Sequence, residues 1–153
     1  MISHILAKLY GLILEKNISI CLEIHGKRAK GKVGFRIYHS TINHLVTLRI
    51  IAEEFRNSKA DLLFCFADFR KALDTIPRYN LWERLEDIMV PLEPRIVVIC
   101  LYEIVIAELN INEGWSKDIK CNIKVKQGCP LSPTLFGIYI DKLEECLEIA
   151  GCK

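Results

Sequence analysis

No Cys-x-x-Cys pair occurs among the seven cysteines, which stand at positions 21, 65, 100, 121, 129, 146 and 152. An odd number so scattered writes neither a disulfide framework nor a zinc site into the spacing, and reduced thiols, several of them buried, are the expectation. The four histidines are as dispersed, and His39 with His44 makes no ligand set. An apolar run of membrane length is missing too. The greasiest window, Ile96 to Ala107, is interrupted by Glu103 and followed at once by Glu108, whereas a span needs about 20 apolar residues. The N-terminus carries Lys8, Glu15 and Lys16 through a periodic pattern with no small-residue cleavage site. That argues against a signal peptide and for an intracellular protein with no membrane partner. Nor is there an excess of one charge: 21 basic and 19 acidic residues leave +2, too even to announce a nucleic-acid partner by itself. Repeats and low-complexity tracts are absent.

What is present is a chain of 153 residues, 51% apolar and 26% charged. It is long enough to bury about two-thirds of the surface its unfolded form would expose. Apolar residues at 2, 5, 6, 9, 12 and 13 predict an amphipathic helix over Ile2–Leu14, followed by the short β-branched stretch Ile18 to Ile24, whose state is open. A second helix is expected from Thr41 to about Arg56, capped by Ser40 or Thr41, with Ile42, Leu45, Leu48, Ala52 and Phe55 on one face. Leu62 to Ala67 has the length and composition of a strand covered on both faces. Pro77 then fits the start of a helix with Leu81, Leu85 and Ile88 inside, which Val90-Pro-Leu-Glu-Pro94 breaks. Arg95 to Ile111 reads as a helix or helix-then-strand, with a turn at 112–114 leading to a strand near Asp118 to Val125. Ser132-Pro begins a last helix with Leu135, Tyr139, Leu143 and Leu147 at intervals of four. The fold class expected is α+β, helix-rich with a small antiparallel sheet.

Three stretches carry chemistry. Gly26-Lys-Arg-Ala-Lys-Gly31-Lys32 has the spacing of a phosphate-binding loop, but Val33 stands where a magnesium-binding Ser or Thr belongs and Gly34 where a helix should begin. A solvated basic loop is the better description, with contact to a phosphate backbone as its functional reading. Asp68 ends the apolar run. At the end of a buried strand a carboxylate is held rigidly and can bind a hard cation such as Mg2+; the other reading is a cap or turn acid. Asp74 has the same two readings, and a cap or an ion-pair partner of Arg70 or Lys71 is the simpler. In the third stretch, Val125 to Phe136, a glycine turn brings backbone groups and the Gln127 amide close to a flat or phosphorylated ligand; a plain turn and cap would also account for it.

Taken together these residues resemble the reverse transcriptases of non-LTR, LINE-type retrotransposons. Gly34-Phe-Arg-Ile-Tyr-His-Ser-Thr-Ile-Asn-His-Leu45 is similar to the family's GFR…ST-x-D-H block, with Asn43 where Asp is usual. Phe66-Ala-Asp-Phe-Arg-Lys-Ala-Leu-Asp-Thr-Ile-Pro77 is similar to F-x-D-F-x-K-A-F-D-x-V, and Gln127-Gly-Cys-Pro-Leu-Ser-Pro-Thr-Leu-Phe136 matches the block that contacts template and incoming nucleotide. Ala7-Lys-Leu-Tyr10 fits the segment that precedes them, so the likeness spans nearly the whole chain.

The resemblance implies a partial fingers/palm of a right-hand reverse transcriptase as a single partial domain. Residues 1–60 would form the fingers/palm connection, with the basic loop at 26–36, and residues 61–153 the palm portion. The implied activity is RNA-directed DNA synthesis on an RNA template and DNA primer, with Mg2+. Asp68 would be the catalytic metal ligand, with the Phe69 carbonyl beside it. Gln127 and Gly128 would line the nucleotide and template site. Leu73 stands where the family carries an aromatic gate against a ribose 2′-hydroxyl, and it is smaller. Apart from the resemblance, by their charge alone, Lys27, Arg28, Lys30, Lys32 and Arg36 of the basic loop are the residues that would meet nucleic acid.

The family's Y/F-x-D-D block, which supplies the remaining metal-binding aspartates, has no counterpart here, and neither does its upstream R-P-I-S block. Asp141 is expected inside a helix and cannot substitute. The two-metal mechanism is therefore incomplete in this chain, which is expected to be inactive alone. Without another chain to complete the palm, apolar faces around Leu62 to Phe66 would be exposed and solubility poor. The alternative is a non-catalytic RNA-, DNA- or protein-binding module that keeps the basic loop.

Overall fold

The computed structural model describes residues 5–29, 31–32, 34–36, 39–103, 106–107, 110–111, 114–115, 119–120 and 123–151. Five helices account for most of them: α1 (Ile5–Ile24), α2 (Thr41–Ser58), α3 (Arg78–Asp87), α4 (Leu92–Glu103) and α5 (Ser132–Ile149). The strands β1 (Ile106–Ala107), β2 (Asn110–Ile111), β3 (Gly114–Trp115) and β4 (Ile119–Lys120) are two residues each. They pair antiparallel as β1 with β4 and β2 with β3. None of these helices is long and apolar enough to cross a membrane.

This corrects the expected α+β class. Among the described residues the molecule is helical, and its two-residue ladders make no sheet layer that a helix could pack against. The decisive case is Leu62 to Ala67, expected as a strand buried on both faces. It is extended but pairs with nothing as a ladder, and Leu63 is 95% and Phe66 85% exposed. A strand buried on both faces needs a sheet to sit in and layers that cover each face, and among the described residues this segment has no ladder partner and its large apolar side chains are left uncovered.

The core forms where α1, α3, α4 and α5 converge, with α3 packed on α4 and α5 and α1 against α4. Leu14, Ile18 and Leu22 enter it from α1, Leu81 and Leu85 from α3, Val98 and Tyr102 from α4, and Leu135 and Ile138 from α5. Each such side chain contributes about 1.5–3 kcal/mol. Helix α1 is one element where the sequence suggests a helix and a stretch of open state. Its buried face lies in the second half, because Leu14, Ile18 and Leu22 share a stripe at intervals of four while Ile5, Leu6, Leu9, Leu12 and Ile13 are exposed. The β-branched Ile18 is held helical by its burial, and Ser19 by a bond from its hydroxyl to Glu15 Oε1 at 2.7 Å.

Each early helix ends in a left-handed residue. After α1, Gly26 (φ 58) donates to Glu23 O and Lys27 to Leu22 O, the paired bonds of a glycine C-cap. The first glycine of the basic loop is thus a helix stop. After α3, Met89 (φ 57) donates to Glu86 O and Val90 to Leu85 O. That turn, and not the prolines after it, ends the helix; α4 restarts at Leu92, with Pro94 in its first turn, where no backbone donor is needed.

Helix α5 also differs from expectation. Ser132 is its first residue and makes no capping bond to the helix backbone. Its inner face is Leu131, Leu135, Ile138 and Asp141, while Leu143 and Leu147 are exposed. A strict spacing of four drifts about 40° per step around a helix of 3.6 residues per turn, so the expected stripe rotates out of the core.

Candidate functional site

Asp68 lies at the exposed end of the extended segment, just before a tight turn over 70–74. Lys71 takes a left-handed conformation (φ 53), the Asp74 N–H donates to Lys71 O at 2.8 Å, and the Thr75 hydroxyl lies within bonding distance of the carbonyls of Lys71 and Ala72. Buried Ile76 then anchors the chain, and Pro77 leads into α3.

Against this turn runs the segment that precedes α5. Val125 N–H donates to Leu73 O and Lys124 N–H to Ile76 O, each at 3.0 Å, and Pro77 bridges Ile123 antiparallel. Val125 is fully buried, so its side chain fixes the depth of that pairing. Two residues on, the Gln127 amide reaches Asp74: Nε2 lies 3.2 and 3.0 Å from the two carboxylate oxygens. Gly128 at φ 77 turns the chain, a conformation most residues avoid. A bond from Cys129 N–H to Lys126 O closes the bend. On the far side, the Phe69 ring meets the edge of Phe136 on α5 at 6.2 Å, and Leu73 packs partly buried against the core. Gly11 of α1 supports the turn closely; a Cβ there would lie 3.5 Å from Cys129 Sγ and Pro130 Cδ.

Residues that no motif pointed to hold this junction from below. Buried Tyr102 sits between two cations, the Arg78 guanidinium 5.4 Å and the Lys126 ammonium 5.5 Å from its ring centroid. Arg78 donates to Lys124 O (2.9 Å) and Tyr102 O (2.7 Å), and Lys126 to Leu101 O (2.8 Å). The Ser132 hydroxyl gives its one proton to Lys126 O at 2.6 Å, so the Tyr102 hydroxyl, 3.2 Å away, is the donor to Ser132 Oγ. Burial pushes the Tyr102 phenol above its ordinary value, which keeps it protonated as that donor. No sequence signal marks this brace, because Arg78, Tyr102 and Lys126 are too far apart in the chain to read together.

The basic loop is folded inward. Arg28 is buried; its Nη2 donates to Ser19 Oγ (3.1 Å) and its Nε lies 3.5 Å from Glu23 Oε1. Arg36 holds Glu23 by two bonds, at 3.0 and 2.7 Å. Lys32 Nζ stands 3.0 Å from Asp141 Oδ1, both side chains largely withdrawn from water. Burial lowers Lys32 and Arg28 below their ordinary values, opposed by Asp141 and Glu23. The bond from Arg36 holds the Glu23 carboxyl below the usual range and raises Arg36 in turn. Lys32 crosses α5 at Gly137, where a Cβ would collide with Nζ. Gly31 N–H adds a bond to Glu144 at 3.2 Å. The loop is thus not the solvated one expected. Lys27 remains half-exposed, and Lys30 lies outside the described residues.

The structure therefore brings together Phe69, Leu73, Asp74, Gln127 and Gly128 and leaves the basic loop as a separate assembly on α1 and α5. Asp68 has no acidic cluster around it: among the described residues no three His, Cys, Asp or Glu side chains gather as a cation site. Mg2+ is held by one or two carboxylates, with waters and substrate phosphates completing its six oxygen ligands; Asp68 alone is one such carboxylate, and the residues present do not by themselves fit a two-metal site. A cavity of about 690 Å3 opens between α3 and α5, lined by Phe69, Glu83, Arg84, Tyr139, Leu143 and Cys146 among others, and contains neither Asp68 nor Gln127.

No curated protein and no solved structure matches the chain. One family model does match, over residues 6–150, and its description is reverse transcriptase (RNA-dependent DNA polymerase).

Proposed function

The chain belongs to the reverse transcriptase family, and on that premise we propose that it is a portion of an RNA-directed DNA polymerase domain of the non-LTR, LINE type. It contributes the first metal-binding carboxylate, Asp68, and the turn at Gln127 and Gly128 that meets template and nucleotide. The LINE assignment rests on the Gly34–Leu45 block and on Gln127-Gly-Cys-Pro-Leu-Ser-Pro-Thr-Leu-Phe136. The observation that most supports the reading is the junction itself. Two blocks that resemble the family separately in sequence meet through Leu73 with Val125 and Asp74 with Gln127, although the latter pair is 53 positions apart.

These 153 residues hold one candidate ligand and no Asp-Asp pair, and phosphoryl transfer by two metals needs more carboxylates than that. No metal-dependent step follows from them alone; the remaining ligands would have to come from another segment or chain. A partner of that kind, with RNA template and DNA primer, is part of the proposal. The alternative, a module binding through its basic loop, has less support, because Arg28, Lys32 and Arg36 are engaged with carboxylates of the same chain.

Primer extension on an RNA template with Mg2+ tests the reading. The chain alone is expected to bind the RNA–DNA hybrid and to extend nothing. Robust synthesis that disappears in Asp68→Ala would overturn the incompleteness, and an absence of hybrid binding at low salt would overturn the assignment. Lys27→Ala, the substitution in the loop least tied to the fold, should leave binding within about twofold; a large loss would favour the alternative.

A further inference from the structure

Asp74 was the acid with the weaker claim, and the junction gives it a partner. An ionised carboxylate only accepts hydrogen bonds, whereas an amide presents a donor nitrogen and an acceptor oxygen. With Gln127 placed against both Asp74 oxygens, at 3.2 and 3.0 Å, the nitrogen must be the atom that faces in. That settles the orientation of an amide whose two ends have almost the same shape. The carbonyl oxygen is left facing away from Asp74 on an exposed residue.

The backbone holds both members in place independently of this bond. Asp74 is pinned by its own N–H to Lys71 O and Gln127 by the pairing of Val125 with Leu73 two residues before it. Left-handed Lys71 and Gly128 close the two turns.

We propose that Asp74 is a positioning residue for Gln127: it turns the glutamine so that its carbonyl oxygen is offered to the ligand as a hydrogen-bond acceptor. The group recognised is then a donor, an O–H or N–H of the nucleotide or nucleic-acid strand. This rests on the preceding reading for the identity of the ligand but not for the orientation of the side chain.

The test separates the two. Gln127 is the only glutamine in the chain, so selective 15N labelling gives one side-chain amide pair whose signals report the bond directly. Asp74→Asn keeps the shape but supplies a donor as well as an acceptor, so it no longer dictates which end of Gln127 faces in. In the full chain, Asp74→Asn and Asp74→Ala are expected to shift and average the Gln127 amide signals. Each should weaken binding of a defined RNA–DNA hybrid about threefold to tenfold, the loss of one hydrogen bond. Gln127→Ala should cost the same factor, and the Asp74→Ala, Gln127→Ala double variant no more.

Multiplying losses would show that Asp74 acts on its own and would overturn the proposal. So would a Gln127 amide signal indifferent to Asp74→Asn, or an Asp74→Asn variant that binds as well as the parent while Gln127→Ala does not. If Asp74→Asn moves the amide signals while neither residue affects hybrid binding, the orientation stands and the ligand assigned under Proposed function falls.

Discussion

Helices α1, α3, α4 and α5 bury fourteen apolar residues together with the segments between them, whereas α2 and the extended stretch after it bury none. Both regions are apolar in sequence. Ile42, Leu45, Val46 and Leu48 on α2 and Leu63, Phe64 and Phe66 beyond it are residues of a kind that elsewhere in this chain fill the core, yet here all are exposed. What separates the two regions is the availability of neighbours and not composition. Helix α2 keeps this apolar face exposed while its C-terminal end is closed locally, Lys59 and Ala60 donating back to Arg56 and Phe55 in a left-handed cap; at its other end Ser40 makes no side-chain cap.

The comparison is broken most directly by truncating matched leucines. Leu81→Ala, at a wholly buried position, should cost about 2–5 kcal/mol in denaturant unfolding. Leu45→Ala, 65% exposed, and Phe66→Ser should each cost less than about 0.5 kcal/mol. A Leu45→Ala loss as large as that of Leu81→Ala would mean that α2 is covered in solution, and the contrast would fail.

Next in size is the loop. Lys32→Met leaves Asp141, 5% exposed, without its cation and should cost about 3 kcal/mol. Adding Asp141→Leu should recover much of that in the same unfolding measurement, since apolar residues of similar volume replace such pairs at little cost. A double variant as unstable as the single one would mean that the site is organised by something other than charge.

The smallest effect is a pH dependence. The folded Glu23 carboxyl lies below its ordinary value of 4.5, chiefly through its bond from Arg36. Its contribution is therefore complete above about that pH and is lost as the pH falls through the lower folded value. Thermal midpoints should decline on acidification below 4.5, and Glu23→Gln should flatten that part of the profile. An unchanged profile would show that the pair with Arg36 does not form in solution.

How much of this the sequence disclosed depends on range. Helices α2 and α3 and the inner face Leu81, Leu85 and Ile88 follow from local periodicity and occur as expected. The start of α5 at Ser132 follows from its proline. The strand at Leu62 to Ala67 does not occur, because an apolar run states that a segment can be buried and not that a neighbour exists to bury it. The half-misread phase of α1 and α5 has the same origin: a stripe shows where apolar residues lie, while Gly11, Gly137 and Asp141 face inward because of partners more than a hundred residues away. At the site, the motifs of the second and third blocks single out two segments, and the fold brings these together. They did not foretell the bond between Asp74 and Gln127, which depends on a backbone pairing made in three dimensions.

The strap of Gly31 and Lys32 across α5 has a further consequence for the order of events as the chain is made. Gly31 and its acceptor Glu144 are separated by 113 positions, and Lys32 finds its carboxylate on the same late helix. A nascent chain that has released α1 can already pair Arg28 and Arg36 with Glu23, but it must carry Lys32 in water until α5 emerges. Closing so long a circuit is among the slow steps of folding. Only then can Lys32 lie over Gly137, so the loop that follows α1 completes its contacts only once α5 is in place.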